Sequence, residues 1–151
     1  MMKTICGDII ELAKSDQYDV LVHGCNCFNT MGAGVAQTVV AHFPEARDVD
    51  QATIMGDISK LGTLTVAYSE SHRLFVVNAY TQFSYGRHKR HVQYEAVETC
   101  FRQIRERFGD KSIIYPKIGA GLGGGSWMTI AQIIDRELDG CDHTCAILPG
   151  T

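Results

Sequence analysis

The chain has 151 residues, 45% of them hydrophobic and 21% charged, a size and mix that suit one folded domain over 1–151 and exclude a disordered or low-complexity protein. Its formal net charge is -3 and its pI near 6.0, so nucleic-acid binding would need a local basic patch, for which 87–91 (Arg87 to His91) is the candidate. No stretch approaches the roughly 20 apolar residues of a membrane span, and 1–10 lacks the apolar core of a signal peptide. The six cysteines, Cys6, Cys25, Cys27, Cys100, Cys141 and Cys145, are therefore read as reduced thiols of a cytoplasmic protein, the host's cytoplasm for a viral chain. Neither close pair has the spacing of a zinc site, and neither a metal nor a cofactor is expected.

Taken in chain order, Lys3 to Cys6 reads as a strand. Asp8 follows, where a carboxylate either caps a short helix or accepts a hydrogen bond from the exocyclic amine of a base. Val20 to Cys25 is a second, nearly continuous apolar strand, leading into His23-Gly24-Cys25-Asn26-Cys27. Met31-Gly32-Ala33-Gly34-Val35-Ala36 then opens a helix whose apolar residues are Val35, Ala36, Val39, Val40 and Phe43, and which should stop at Pro44. Glycines at a helix start let a ligand approach the backbone, and the free amides there favour an anion such as a diphosphate. The ordinary role of the same residues is a tight turn, with Asn26 bonded to its own loop.

Thr63 to Tyr68 and Leu74 to Ala79 read as further strands. The segment from Asn78 through Tyr80, Thr81 and Gln82 to His91 mixes aromatic, hydroxyl and basic side chains that could close a pocket, or form a solvated loop. Tyr94, Val97, Phe101, Ile104 and Phe108 recur at helical spacing and predict an amphipathic helix. After a strand at Ile113 to Ile118, five glycines fall within the seven residues from Gly119 to Gly125. Ordering such a loop is entropically costly unless something fits it closely, and a phosphate cradle is the natural fit. Gly119, Gly121 and Gly124 also match the dinucleotide-binding fingerprint, but too little chain follows Ser126 to complete that sheet. Ser126 caps a helix carrying Ile130, Ile133, Ile134 and Leu138, and Cys145 to Leu148 is the last strand.

Apolar strands alternating with helices predict an α/β class in three layers, with the ligand crevice beyond the carboxyl ends of the strands. The ordered series Gly7-Asp8-Ile9, Tyr18 to Asn26, Gly32 to Ala36, Phe43-Pro44-Glu45-Ala46 and Ile118-Gly119-Ala120-Gly121 resembles the macrodomain family over almost the whole chain. Leu21 to Cys27 and Gly121 to Trp127 look most like its ADP-ribose-1″-phosphate phosphatase branch of fungal, phage and bacterial type. The resemblance implies a three-layer αβα fold with a mixed, six-stranded central sheet, and a cleft for ADP-ribose or a 1″-substituted ADP-ribose in a monomeric protein.

By position, the resemblance puts Asp8 at the adenine amine with Ile9 beside it, and Asn26 at the distal ribose. It puts Gly32, Ala33, Gly34 and Val35 along the diphosphate and distal ribose, and Gly119, Ala120, Gly121 and Leu122 around the phosphates. Gly24, Cys25, Tyr80, Thr81, Gln82 and Ile118 complete the expected binding set. Relatives that work through a lysine carry it where this chain has Gln82, and one subgroup has an aspartate where it has Gly123, which argues against a lysine adduct. The expected reaction is hydrolysis at the distal anomeric position, with Asn26 orienting sugar or water and His23 or His88 as acid or base. The rivals are a hydrolase that removes ADP-ribose from protein or nucleic acid, with 87–91 touching the macromolecule, and a non-catalytic ADP-ribose reader.

Overall fold

The computed structural model describes residues 1–86 and 90–148. Six strands form one sheet in the order β1-β6-β5-β2-β4-β3: β1 Lys3–Cys6, β2 Val20–Cys25, β3 Leu64–Ser69, β4 Leu74–Tyr80, β5 Ile113–Tyr115 and β6 His143–Ile147. The pairs β1/β6, β6/β5, β5/β2 and β2/β4 are parallel, and β3 is antiparallel to β4. β5 is shorter than the apolar run that announced it, because Pro116 has no N–H to continue the ladder.

Strand alternation splits the core into two. Val20, Val22, Val77, Ile113, Tyr115 and Cys145 pack beneath α4 Tyr94–Phe108 and α5 Trp127–Glu137. Leu21, Val76, Ile114 and Ala146 point the other way, against α1 Ile9–Ala13, α2 Gly34–His42 and α3 Pro44–Gln51. The result is the expected three layers, with a mixed sheet between helices. α4 buries Val97, Phe101, Ile104 and Phe108, the stripe seen in its sequence, and Ser126 caps α5 by accepting from the Thr129 amide.

Two elements were not visible in the sequence. Pro44 ends α2 as expected but also occupies the first position of α3, where its missing N–H costs nothing. A single 3-10 turn, Ile58–Lys60, follows, capped by Asp57. All six cysteines are free thiols. No helix among the described residues is long and apolar enough to cross a membrane.

Candidate functional site

Neighbouring parallel strands β2 and β5 send their chain in opposite directions. The segment after β2 passes to α2 on one face, and the segment after β5 passes to α5 on the other. Between two such loops the sheet end cannot be covered, so a crevice is left there. It holds a cleft of about 1060 Å³, lined from β2 by Gly24, from the loop beyond it by Asn26, Thr30 and Gly32 to Ala36, and from the β5 loop by Pro116 to Gly123, Gly125 and Trp127. Ile9, Gln82, Tyr85, Gly86 and the end of β6, Ala146 to Leu148, complete the lining.

Both long walls present backbone. Ala33 is the N-cap of α2 and offers no side-chain bond, so the amides of Gly34, Val35 and Ala36 have no partner among the described residues. In the opposite loop the Gly125 amide donates to Gly119 O at 2.7 Å and the Gly124 amide to Gly121 O at 3.1 Å, while His91 and Val92 donate to Gly123 O. These bonds fix the loop and leave the Gly121, Leu122 and Gly123 amides without a protein acceptor among the described residues.

The glycines divide by cause. Gly119 has φ +76, and a Cβ there would lie 2.7 Å from Val92 Cγ2, so packing alone requires glycine. A Cβ on Gly32 or Gly121 would meet nothing within 4 Å. The space beside those two belongs to the cleft. The walls meet over it, for Leu122 Cδ1 lies 3.2 Å from where a Cβ of Gly34 would be.

Asn26 is 9% exposed at the floor of the cleft. Its Nδ2 donates to Thr30 O at 3.0 Å and to Thr30 Oγ1 at 2.7 Å, and its Oδ1 accepts from the Phe28 amide at 2.8 Å. Asp8 caps α1, its Oδ1 accepting from the Ile10 and Glu11 amides. Gln82 donates through Nε2 to Ser84 O at 2.8 Å, and its Oε1 packs against Gly123.

Of the expected site residues, Ile9, Gly24, Asn26, Gly32 to Val35, Gln82 and Ile118 to Leu122 converge on the cleft. Five do not line it, among them Asp8, whose Oδ1 is taken up in capping α1. His23 is fully buried on the α1–α3 side, with Nε2 2.5 Å from Asn78 Oδ1, and burial lowers its pKa to about 4. It is neutral near pH 7 and sealed from solvent, so the expectation of an acid or base there is corrected. Cys25 and Tyr80 pack into a small cluster with Cys27 and Met31, and burial pushes the Cys25 thiol and the Tyr80 hydroxyl well up. Thr81 is buried against Gly24, where a Cβ would sit 2.9 Å from its Oγ1. His88, with Arg87 and Lys89, lies outside the described residues.

The structure adds the lining residues Thr30, Trp127 and Ala146 to Leu148, and it also brings in Tyr85 from the 78–91 segment expected to close the pocket. The β6 end was foreseeable from the rule that placed the crevice, since β6 is parallel to β5 and ends at the same edge. Tyr85 stacks edge-on with Phe28, 6.3 Å between centroids, and Phe28 with Phe83 at 4.9 Å. That aromatic group flanks the end of the cleft at Asn26. Among the described residues no carboxylate and no imidazole lines the cleft; Lys117 and Tyr85 are its titratable side chains.

Comparison with known proteins agrees with this architecture. The Macro domain model matches residues 22–134. An uncharacterized 17.5 kDa protein from the tk-vs intergenic region of Enterobacteria phage T4 is 38% identical over 143 residues, covering 89% of this chain and 88% of the phage protein. The macrodomain of Thermus aquaticus DarG superposes with a TM-score of 0.74 at 23% identity, over 99% of both chains. Thermosipho africanus DarTG in complex with ADP-ribose gives 0.76 at 20% identity, this chain spanning 42% of that one. A cleft at the switch point of a six-stranded mixed sheet, together with a family match across most of the sequence, places this chain in the Macro domain family.

Proposed function

We propose that the cleft binds ADP-ribose and that the protein hydrolyses a substituent at the distal ribose, in the first place the phosphate of ADP-ribose-1″-phosphate. The observation that carries this reading is the convergence of two sets of backbone amides that have no protein acceptor among the described residues, from the α2 start and the Gly121–Gly123 loop, on one cleft with an asparagine at its floor. Preorganised amides suit a diphosphate because they supply positive potential without the reorganisation of a flexible cation. Asp8 and Ile9, at the α1 start, are assigned to the adenine, and Asn26 to the distal sugar.

The amides of the two walls favour chemistry that develops negative charge within the cleft. An anomeric phosphate fits, because it leaves without prior protonation by a strong acid, and the site need only position a water and face developing charge with amides. One water is consumed, and ADP-ribose and inorganic phosphate are the products. Oxygen-18 water distinguishes the two bond cleavages: label in phosphate marks attack at phosphorus, label in ADP-ribose attack at carbon.

The same lining is what a non-catalytic reader of ADP-ribose would have, and one panel separates the readings. Purified protein is expected to release phosphate from ADP-ribose-1″-phosphate, with Asn26→Ala slower by at least about tenfold. Calorimetric binding of ADP-ribose without turnover of that substrate would establish the reader. Release of ADP-ribose from modified protein or DNA would establish the de-ADP-ribosylating hydrolase.

A further inference from the structure

Asn26 stands on the loop beyond β2 rather than on the strand itself, so whatever fixes that loop fixes the aim of its amide. Within 26–30 the Phe28 amide donates to Asn26 Oδ1 and Asn26 Nδ2 donates to Thr30, while the backbone is tied outward, the Cys27 amide donating to Phe83 O at 3.0 Å and Cys27 O accepting from the Gly56 amide at 2.7 Å. The ring around Asn26 takes its orientation from such outside ties, and side chains add to them. The residues on either side of Phe28 supply the handles, Cys27 through its carbonyl and Asn29 through its side chain.

Both handles are held by one cation. Lys60, at the end of the 3-10 turn, is 7% exposed. Its Nζ donates to Cys27 O at 3.1 Å and to Asn29 Oδ1 at 2.5 Å, and lies 5.0 Å from the centroid of the Tyr80 ring. Burying an ammonium is costly unless its donors are used, and here two neutral acceptors and a π face use them. Tyr80 is itself anchored, its hydroxyl donating to Asp50 Oδ1 at 2.7 Å. Asn29 keeps a left-handed backbone with φ 57, and its carbonyl accepts from Gln51 Nε2 at 2.9 Å while its own Nδ2 donates to Thr53 O.

We infer that Lys60 is a positioning residue for Asn26: a buried cation behind the cleft floor that pins the 26–30 loop by its Cys27 carbonyl and Asn29 amide. It does not line the cleft and touches no ligand. The inference rests on the assignment of Asn26 to the distal ribose.

The test compares binding of ADP, which lacks that ribose, with binding of ADP-ribose, by calorimetry on the wild-type chain, Lys60→Met and Asn29→Gly. Asn29→Gly removes the Lys60 acceptor while glycine keeps the left-handed backbone, so it remains informative if Lys60→Met fails to fold. Both variants are expected to bind ADP within about twofold of wild type and to lose about tenfold in affinity for ADP-ribose, the weight of one well-aimed hydrogen bond. A merely structural lysine would lower both affinities or neither. Variants that bind ADP normally and keep the wild-type preference for ADP-ribose overturn the role of Lys60 alone. A wild-type chain with no preference for ADP-ribose over ADP overturns the distal-ribose assignment, and the role of Lys60 with it.

Discussion

The amide of Asn26 is largely spoken for before any ligand arrives. Both donors point at Thr30 and one acceptor position takes the Phe28 amide, which leaves a lone pair on Oδ1, suited to accept from a sugar hydroxyl. Asn26→Asp should therefore behave no better than Asn26→Ala despite its shape, because an oxygen would replace Nδ2 against the Thr30 carbonyl; an ADP-ribose titration of both variants checks this. At Gly121 the opposite logic holds. With no atom within 4 Å of a Cβ, Gly121→Asp should leave the thermal midpoint unchanged and, on the proposed reading of the cleft, weaken ADP-ribose binding by at least about tenfold, through a like charge facing the diphosphate. Single residues were legible in the sequence where the backbone does the work: glycine density pointed to Gly32–Val35 and Gly119–Leu122 without knowledge of any side-chain direction. His23, Cys25, Tyr80 and Thr81 do not line the cleft, because strand neighbours point to opposite faces, and sequence adjacency to Asn26 or Gln82 says nothing about which face opens to it. Lys60 had no local signal at all, since a lysine beside a serine reads as surface until its acceptors, 31 and 33 residues away, are in place.

Among the elements, the junction of α2 and α3 concentrates the packing on one side of the sheet. Phe43 sits between them, fully buried, its ring edge-on to His72 at 5.3 Å. Phe43→Ala is expected to cost about 3–5 kcal/mol, read as a lowered denaturant midpoint with an unchanged slope. The strands, α2, α4 and α5 were readable because each carries an apolar run or stripe of the right period. α3 was not, because Pro44–Gln51 buries only Ala46 and Asp50 along its length. A helix that packs through an alanine, and turns a buried carboxylate toward a tyrosine, leaves no hydrophobic periodicity to find.

Across the whole molecule, one buried polar chain links three strands to α3. Asn78 Nδ2 donates to Ala46 O and to Thr65 Oγ1, so its Oδ1 faces His23 and accepts from Nε2–H. Tyr80 donates to Asp50, so the Thr65 hydroxyl donates to Tyr80 Oη across 2.9 Å. The histidine must stay neutral in this setting, because burial has moved its pKa from 6.5 to about 4. Unfolded chains bind a proton near pH 6.5 and the folded chain does not until about pH 4, so stability is complete above the first value and falls as pH drops between the two. At about 1.4 kcal/mol per pKa unit the loss is about 3 kcal/mol. Urea midpoints measured from pH 7.5 to 4 should show it, and His23→Gln, which keeps a donor for Asn78 but cannot titrate, should flatten the curve.

The same chain bears on how the sheet finds its alignment. A strand slipped by one residue would turn its apolar side chains outward and be rejected by water, but a slip of two would keep them inward and pass that test. With donors and acceptors running in a single sense from His23 to Asp50, a slip of two would strand buried partners several ångströms apart. The polar residues thus act as a checksum on strand pairing, refusing the near-miss that oiliness alone would let through.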